Sequence, residues 1–133
     1  MYGESCIKRL ICIVLLLSLL LCGCGEKQYE VGTFSYTEHC VEYAAQNISF
    51  LDTHGQKKQT IRNGDDAVAV ARKYCLINNA EIMVDFDPLT GVYCVVFIPA
   101  FEINGNTVMY TDGQTVHVYV NEEGIALMTI VVK

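Results

Sequence analysis

The sequence predicts an α+β domain: one helix packed on a mainly antiparallel four-stranded sheet, preceded by an N-terminal helix or strand pair. Three observations predict it. Residues 65–76 carry apolar side chains at helical spacing. From Ile82 onward, apolar runs alternate with turn signals, the mark of strands. The first 23 residues have the zoned composition of an export signal and contribute nothing to a fold.

That leader comes first in the chain. Its polar start ends in Lys8-Arg9, and Leu10 to Leu21 is apolar except for Ser18. Twelve residues fall short of the roughly 20 that span a bilayer, so the run reads as a signal core, not a permanent span. It closes on Leu21-Cys22-Gly23-Cys24, which resembles the bacterial lipobox: Leu, a small residue, Gly, then Cys. The resemblance implies that Cys24 receives a diacylglycerol and that the chain is cut before it. Several acyl chains hold a protein at a membrane stably, since each buried CH₂ contributes about 0.8 kcal/mol.

Taking 23 residues from the chain's 133 leaves 110, enough for one small domain. The leader holds Lys8, Arg9 and Glu4, so the remainder keeps 7 basic and 14 acidic residues, a net of −7. An acidic surface argues against nucleic acid as a partner. Of the seven cysteines, Cys6, Cys12 and Cys22 leave with the signal and Cys24 is lipidated. Cys40, Cys75 and Cys94 remain, without CxxC spacing. One disulfide among them and three small buried hydrophobes are both open readings.

Residues 24–34 read as a lipid-anchored tether, polar and without a period. A single domain is expected over 35–133. Ser35-x-x-Glu38 has capping-box spacing, which would open a helix with Cys40, Val41 and Ala44 on one face. Phe34, Tyr36 and Val41 would equally suit an extended chain. Ile48 to Leu51 reads as a strand, and Asp52-Thr53-His54-Gly55 as a turn.

The helix over 65–76 has Asn63 or Asp65 as cap and Asp65-Asp66 at the positive end of its dipole. Ala67, Val70, Ala71, Tyr74 and Cys75 form its stripe. Ile82 to Phe86 is a strand, and Asp87-Pro88-Leu89-Thr90-Gly91 a turn with Asp first, Pro second and Gly last. Val92 to Ile98 is a strand apolar on both faces, ended by Pro99. Thr115 to Val120 alternates, with Val116, Val118 and Val120 opposite His117 and Tyr119. Asn121 to Gly124 turns the chain into a last strand, Ile125 to Val132.

Residues 99–114 connect two of these strands and hold a hairpin signal, Asn104-Gly105. They form either an extended hairpin or a protruding contact loop, whose partner-contact residues would be Phe101, Ile103, Met109 and Tyr110. Tyr93, Phe97, Tyr110 and Tyr119 would line a ligand-receiving sheet face or fill the core.

The order of elements over 61–133 resembles the PepSY domain. The matching pieces are Asp66-Ala67-Val68-x-Val70-Ala71, Gly91-Val92-Tyr93-Cys94-Val95-Val96-Phe97 and Val118 to Leu127. The same order is similar to the nuclear transport factor 2-like immunity proteins. Either resemblance implies a secreted regulatory, inhibitory or binding module and transfers no catalytic residue.

Chemistry is sparse in the sequence. His39, His54 and His117 show no HxH or HxxxH spacing, so a metal site could arise only through the fold. Asp85 and Asp87 share a strand face, but Asp87 is explained by its turn and Asp85 as an exposed strand position. His39-Cys40 are neighbours pointing apart, a poor nucleophile pair. No GxSxG, phosphate loop or HExxH occurs. The expectation is therefore a non-enzymatic, lipid-anchored binding or inhibitory module at the bacterial cell envelope, facing outside the cytoplasm. It would meet the membrane through the lipid on Cys24 and bind a protein partner, with no cofactor and no catalytic or metal residues. An immunity protein against a secreted toxin is the alternative, and a small hydrolase or metal-dependent enzyme ranks below both.

Overall fold

The computed structural model describes residues 6–13, 28–109 and 114–133. A short helix, α1, covers residues 6–13. There follow β1 (Val31–Thr33), α2 (Tyr36–Glu42), β2 (Asn47–Phe50), α3 (Gly64–Ala71) and a 3-10 turn at Arg72–Tyr74. The chain continues as β3 (Ala80–Asp87), β4 (Val92–Ile103), β5 (Asn106–Met109), β6 (Thr115–Asn121) and β7 (Ala126–Val132). Among the described residues, no helix is long and apolar enough to cross a membrane.

The expected single helix on a four-stranded sheet is overturned: among the described residues, the strands form one seven-stranded mixed sheet, accompanied by three short helices. Its order is β1-β3-β4-β6-β7-β2, with β5 paired to β4 off that path. The four strands that alternation predicts are β3, β4, β6 and β7, joined antiparallel. The additional strands are short: β1 and β2 exist through partners distant in sequence, while β5 pairs with its neighbour β4. β2 closes one edge against β7, from Asn47↔Val131 to Phe50↔Met128. β1 closes the other, parallel to β3, from Val31↔Val84 to Thr33↔Phe86.

β1 lies in the stretch that reads as tether. Three residues are too few to display a period, so its order comes from contacts made elsewhere. The Tyr29 N–H donates to Asp65 Oδ1 at 2.9 Å, and the Tyr29 ring packs on the core cluster beneath α3. Gly64 allows this approach, because a Cβ there would stand 2.9 Å from the Tyr29 carbonyl oxygen.

Helix α3 is shorter than its apolar stripe. Asn63 caps it, accepting from the Asp66 N–H at 2.9 Å. Past Ala71 the backbone tightens into the 3-10 turn, and Cys75 is extended (φ −127°, ψ 122°). Tyr74 and Cys75 still pack on the core, from turn and extended chain.

Pro99 does not end its strand. β4 runs on to Ile103, and Pro99 pairs with Ala80. The next amide, Ala100, donates to Asn79 on the β3 side. Strand amides alternate in direction, so the donor that Pro99 lacks would point to the opposite side, where β6 pairing has already stopped at Phe97↔Val116. A proline at such a position costs no ladder bond. Beyond it, β4 and β5 form a two-stranded arm around Asn104 (φ 51°) and Gly105 (φ 79°), the left-handed pair of an Asn-Gly hairpin turn.

Each face of the sheet has its own core. On one, Val84, Tyr93, Val95, Phe97, Val118 and Val120 pack against Ala67, Val68, Val70 and Ala71 of α3. On the other, Val92, Cys94, Tyr119, Met128 and Ile130 pack against Tyr36 and Cys40 of α2, its C-cap Tyr43, and Phe34 two residues ahead of it. The predicted alternation of Val116, Val118 and Val120 against His117 and Tyr119 holds.

Candidate functional site

The α2-covered face carries the polar side chains. In strand register, Asp85, Cys94, Tyr119 and Met128 form one row across β3, β4, β6 and β7. The next row on the same face is Met83, Val96, His117 and Ile130. Helix α2 sits over both rows and adds His39.

Two devices fix α2. Ser35 caps it, accepting from the Glu38 N–H at 3.3 Å. Asp87 holds its first turn to the sheet: the carboxylate accepts from the Tyr36 N–H at 2.9 Å, the Leu89 N–H at 2.9 Å and the Thr90 hydroxyl at 2.7 Å. One side chain thus joins the β3–β4 turn to the helix. These bonds, that from Tyr36 foremost, hold the Asp87 carboxyl below the usual carboxylate range. Asp87 is therefore more than the first residue of its turn.

The inward face of α2 differs from the expected one. Val41 points to solvent, 75 % exposed. The packed residues are Tyr36, Cys40 and Tyr43, at i, i+4 and i+7.

His39, Cys94 and His117 come together here, their ligand-capable atoms all within 4.8 Å of one another. The Tyr119 hydroxyl lies 3.0 Å from His39 Nδ1 and 3.4 Å from His117 Nδ1, and it hydrogen-bonds to the Cys94 sulfur. The imidazoles stand with ring centroids 6.1 Å apart, and Tyr43 meets both edge-on, at 5.3 Å from His39 and 5.1 Å from His117. Cys94 and Tyr119 are fully buried, His117 is 6 % exposed and His39 is half-buried. Among the described residues, every buried side-chain polar atom has a partner.

Burial sets the electrostatics. It pushes the Cys94 thiol up to about 12, although the Tyr119 hydroxyl opposes the shift. A thiol that stays protonated is a poor nucleophile. Burial, with His39 nearby, pushes His117 down to about 4, so its imidazole is neutral at pH 7. Burial also raises Tyr119 and Asp85, the latter partly offset by His39. Asp85 is half-buried, not the exposed strand position that alternation suggests.

The other sequence candidates separate. His54 is at the surface, paired with Asp52 at 3.1 Å. Tyr93 and Phe97 face α3 while Tyr119 faces α2, so they line no common surface. Cys40, Cys75 and Cys94 are free thiols. Phe101 is half-buried on the arm, and Ile103 is 49 % exposed there. Met109 ends β5. Tyr110 and the lipobox residues Leu21, Cys22, Gly23 and Cys24 lie outside the described residues. Beside the arm is an open cleft of ≈ 460 Å³, lined by Asn78, Glu81, Phe101 and Glu102 among others, with no histidine or cysteine in its wall.

Of the two readings open for Cys94, the buried small side chain holds, since it is a free thiol in the core; what sequence reading did not foresee is that it meets His39 and His117. A usable signal existed: strand alternation puts Cys94 and Tyr119 inward on strands that pair, with His117 two residues from Tyr119. His39 gave no such signal, because only the tertiary fold brings α2 over that row. Comparison with protein-family models, with curated proteins and with solved structures returns no match.

Proposed function

We propose that the chain is a lipid-anchored, non-enzymatic binding module of the bacterial cell envelope, held at the membrane through Cys24. The observation that carries this reading is the basic start, apolar run and Leu21-Cys22-Gly23-Cys24 ending of the leader. The fold adds a consequence. β1 begins seven residues after Cys24, and an extended chain spans at most about 3.6 Å per residue. The domain then stands within about 25 Å of the lipid, at the membrane surface.

The partner-facing element is the β4–β5 arm. Its strands pair with each other off the path of the main sheet, and its Ile103 and Val108 side chains are 49 % and 36 % exposed. Exposed apolar residues on a projecting hairpin suit a protein contact.

The test is capture of crosslinked envelope proteins with the detergent-extracted full chain, in parallel with an Ile103→Asp/Val108→Asp variant. A stoichiometric partner that the variant loses is the expected result. Equal recovery by the variant would remove the arm from the interface. Recovery of no stoichiometric protein would count against a binding module.

A further inference from the structure

The geometry points to a metal site: His39, Cys94 and His117 together bind one borderline-to-soft transition-metal ion of the zinc and copper class. Two imidazoles and one thiolate are the donor set that such ions prefer over calcium or magnesium, which take oxygen ligands. Two of the three donors are fixed. Cys94 and His117 stand on adjacent paired strands in the middle of the sheet, both buried. His39 is the least enclosed of the three, half-buried on a seven-residue helix.

Distances fit a modest closure. Ligand bonds of about 2.0–2.3 Å in a tetrahedral site put donor atoms roughly 3.5 Å apart. The donors here lie within 4.8 Å of one another, so they must draw together by roughly 1 Å. Rotation of the His39 side chain supplies such a movement. The Tyr119 hydroxyl now contacts Nδ1 of both rings and the Cys94 sulfur. With the rings ligating through Nε2, it would keep accepting from each Nδ1–H and donating to the sulfur, as an outer partner of the ligands. Charge also fits. Binding displaces the thiol proton to solvent, and the resulting thiolate with the half-buried Asp85 carboxylate opposite Cys94 balances a divalent charge.

This site is independent of the lipid anchor. The test uses the detergent-solubilised full chain, stripped with chelator. It is titrated with Co(II) as a spectroscopic probe, with Zn(II) by competition, and with Cu(I) against a chromophoric chelator. One equivalent of Co(II) should give a thiolate-to-cobalt charge-transfer band that Zn(II) abolishes. Cys94→Ser should remove the band, while Cys40→Ser and Cys75→Ser keep it. His39→Ala, at a half-buried position of α2, should fold by circular dichroism yet bind at least about 10-fold more weakly and lose the rise in Tm that metal gives the parent protein. The Zn(II) and Cu(I) arms decide which ion is held more tightly. Absence of saturable binding by any of the three ions, or binding unchanged in His39→Ala, would overturn the proposal and leave a hydrogen-bonded network only.

Discussion

The hydroxyl of Tyr119 and Nδ1 of His39 lie 3.0 Å apart, although 80 residues separate them in the chain. This contact joins the centre of the sheet to the helix that covers it. A tyrosine hydroxyl carries one proton and can also accept, so it satisfies both His39 and His117 where water is excluded. Tyr119→Phe keeps the ring and removes the hydroxyl. It should lower stability by about 1–3 kcal/mol, the cost of leaving buried polar groups unpaired. Denaturant unfolding of the two proteins checks this, and equal stabilities would mean that the hydroxyl holds nothing.

Asp87→Asn should destabilise the domain and change its response to acid. The folded carboxyl titrates below its usual range because of the bonds from Tyr36, Thr90 and Leu89. A depressed carboxylate contributes stability that is fully present above the unfolded value of about 3.9. That contribution is lost as pH falls through the unfolded value toward the folded one. The parent protein should therefore exceed the variant at neutral pH, and the gap should close in acid. Tm measured from pH 7 to pH 3 follows it, and a gap independent of pH would contradict the assignment.

Gly64→Ala tests the order of the segment before β1. Replacing glycine near a helix start would ordinarily gain up to about 1 kcal/mol. Here the new Cβ meets the Tyr29 carbonyl oxygen at 2.9 Å, and overpacking costs about 1–3 kcal/mol. A net loss is expected, larger for Gly64→Val. A gain in Tm would show that residues 29–33 are not held against α3.

On the opposite core, Phe97→Ala should cost about 3–5 kcal/mol, since the ring is 1 % exposed beneath α3. Val41→Gln, on the solvent side of α2, should stay within about 0.5 kcal/mol. Reversal of the two costs would place α2 and α3 the wrong way round on the sheet.

These contrasts show where sequence was sufficient. Strands long enough to alternate, such as Thr115–Asn121, declared their existence and which side chains share a face, though not that both faces are buried. The Asp-Pro-Leu-Thr-Gly and Asn-Gly turns were legible because their backbone demands specific residues. Val31–Thr33 was not, since three residues show no period and the strand exists through its pairing with β3. The inward face of α2 was misjudged because Val41 is more apolar than Tyr36 or Tyr43, yet the rings fill the space above Tyr119 and the valine does not. Alternation placed His117 and Tyr119 on one face of β6, and register with β4 adds Cys94 to it. Their meeting with His39 depended on where Asp87 anchors a helix that lies 51 residues away in the chain.

Attachment of lipid to Cys24 underlies the proposed function, and metabolic labelling with an alkyne fatty acid in a bacterial host tests it most directly. The full chain should take up label and fractionate with membranes, with a mature N-terminus at residue 24, and Cys24→Ala should take up none. An unlabelled parent protein, or label that persists in Cys24→Ala, would contradict it.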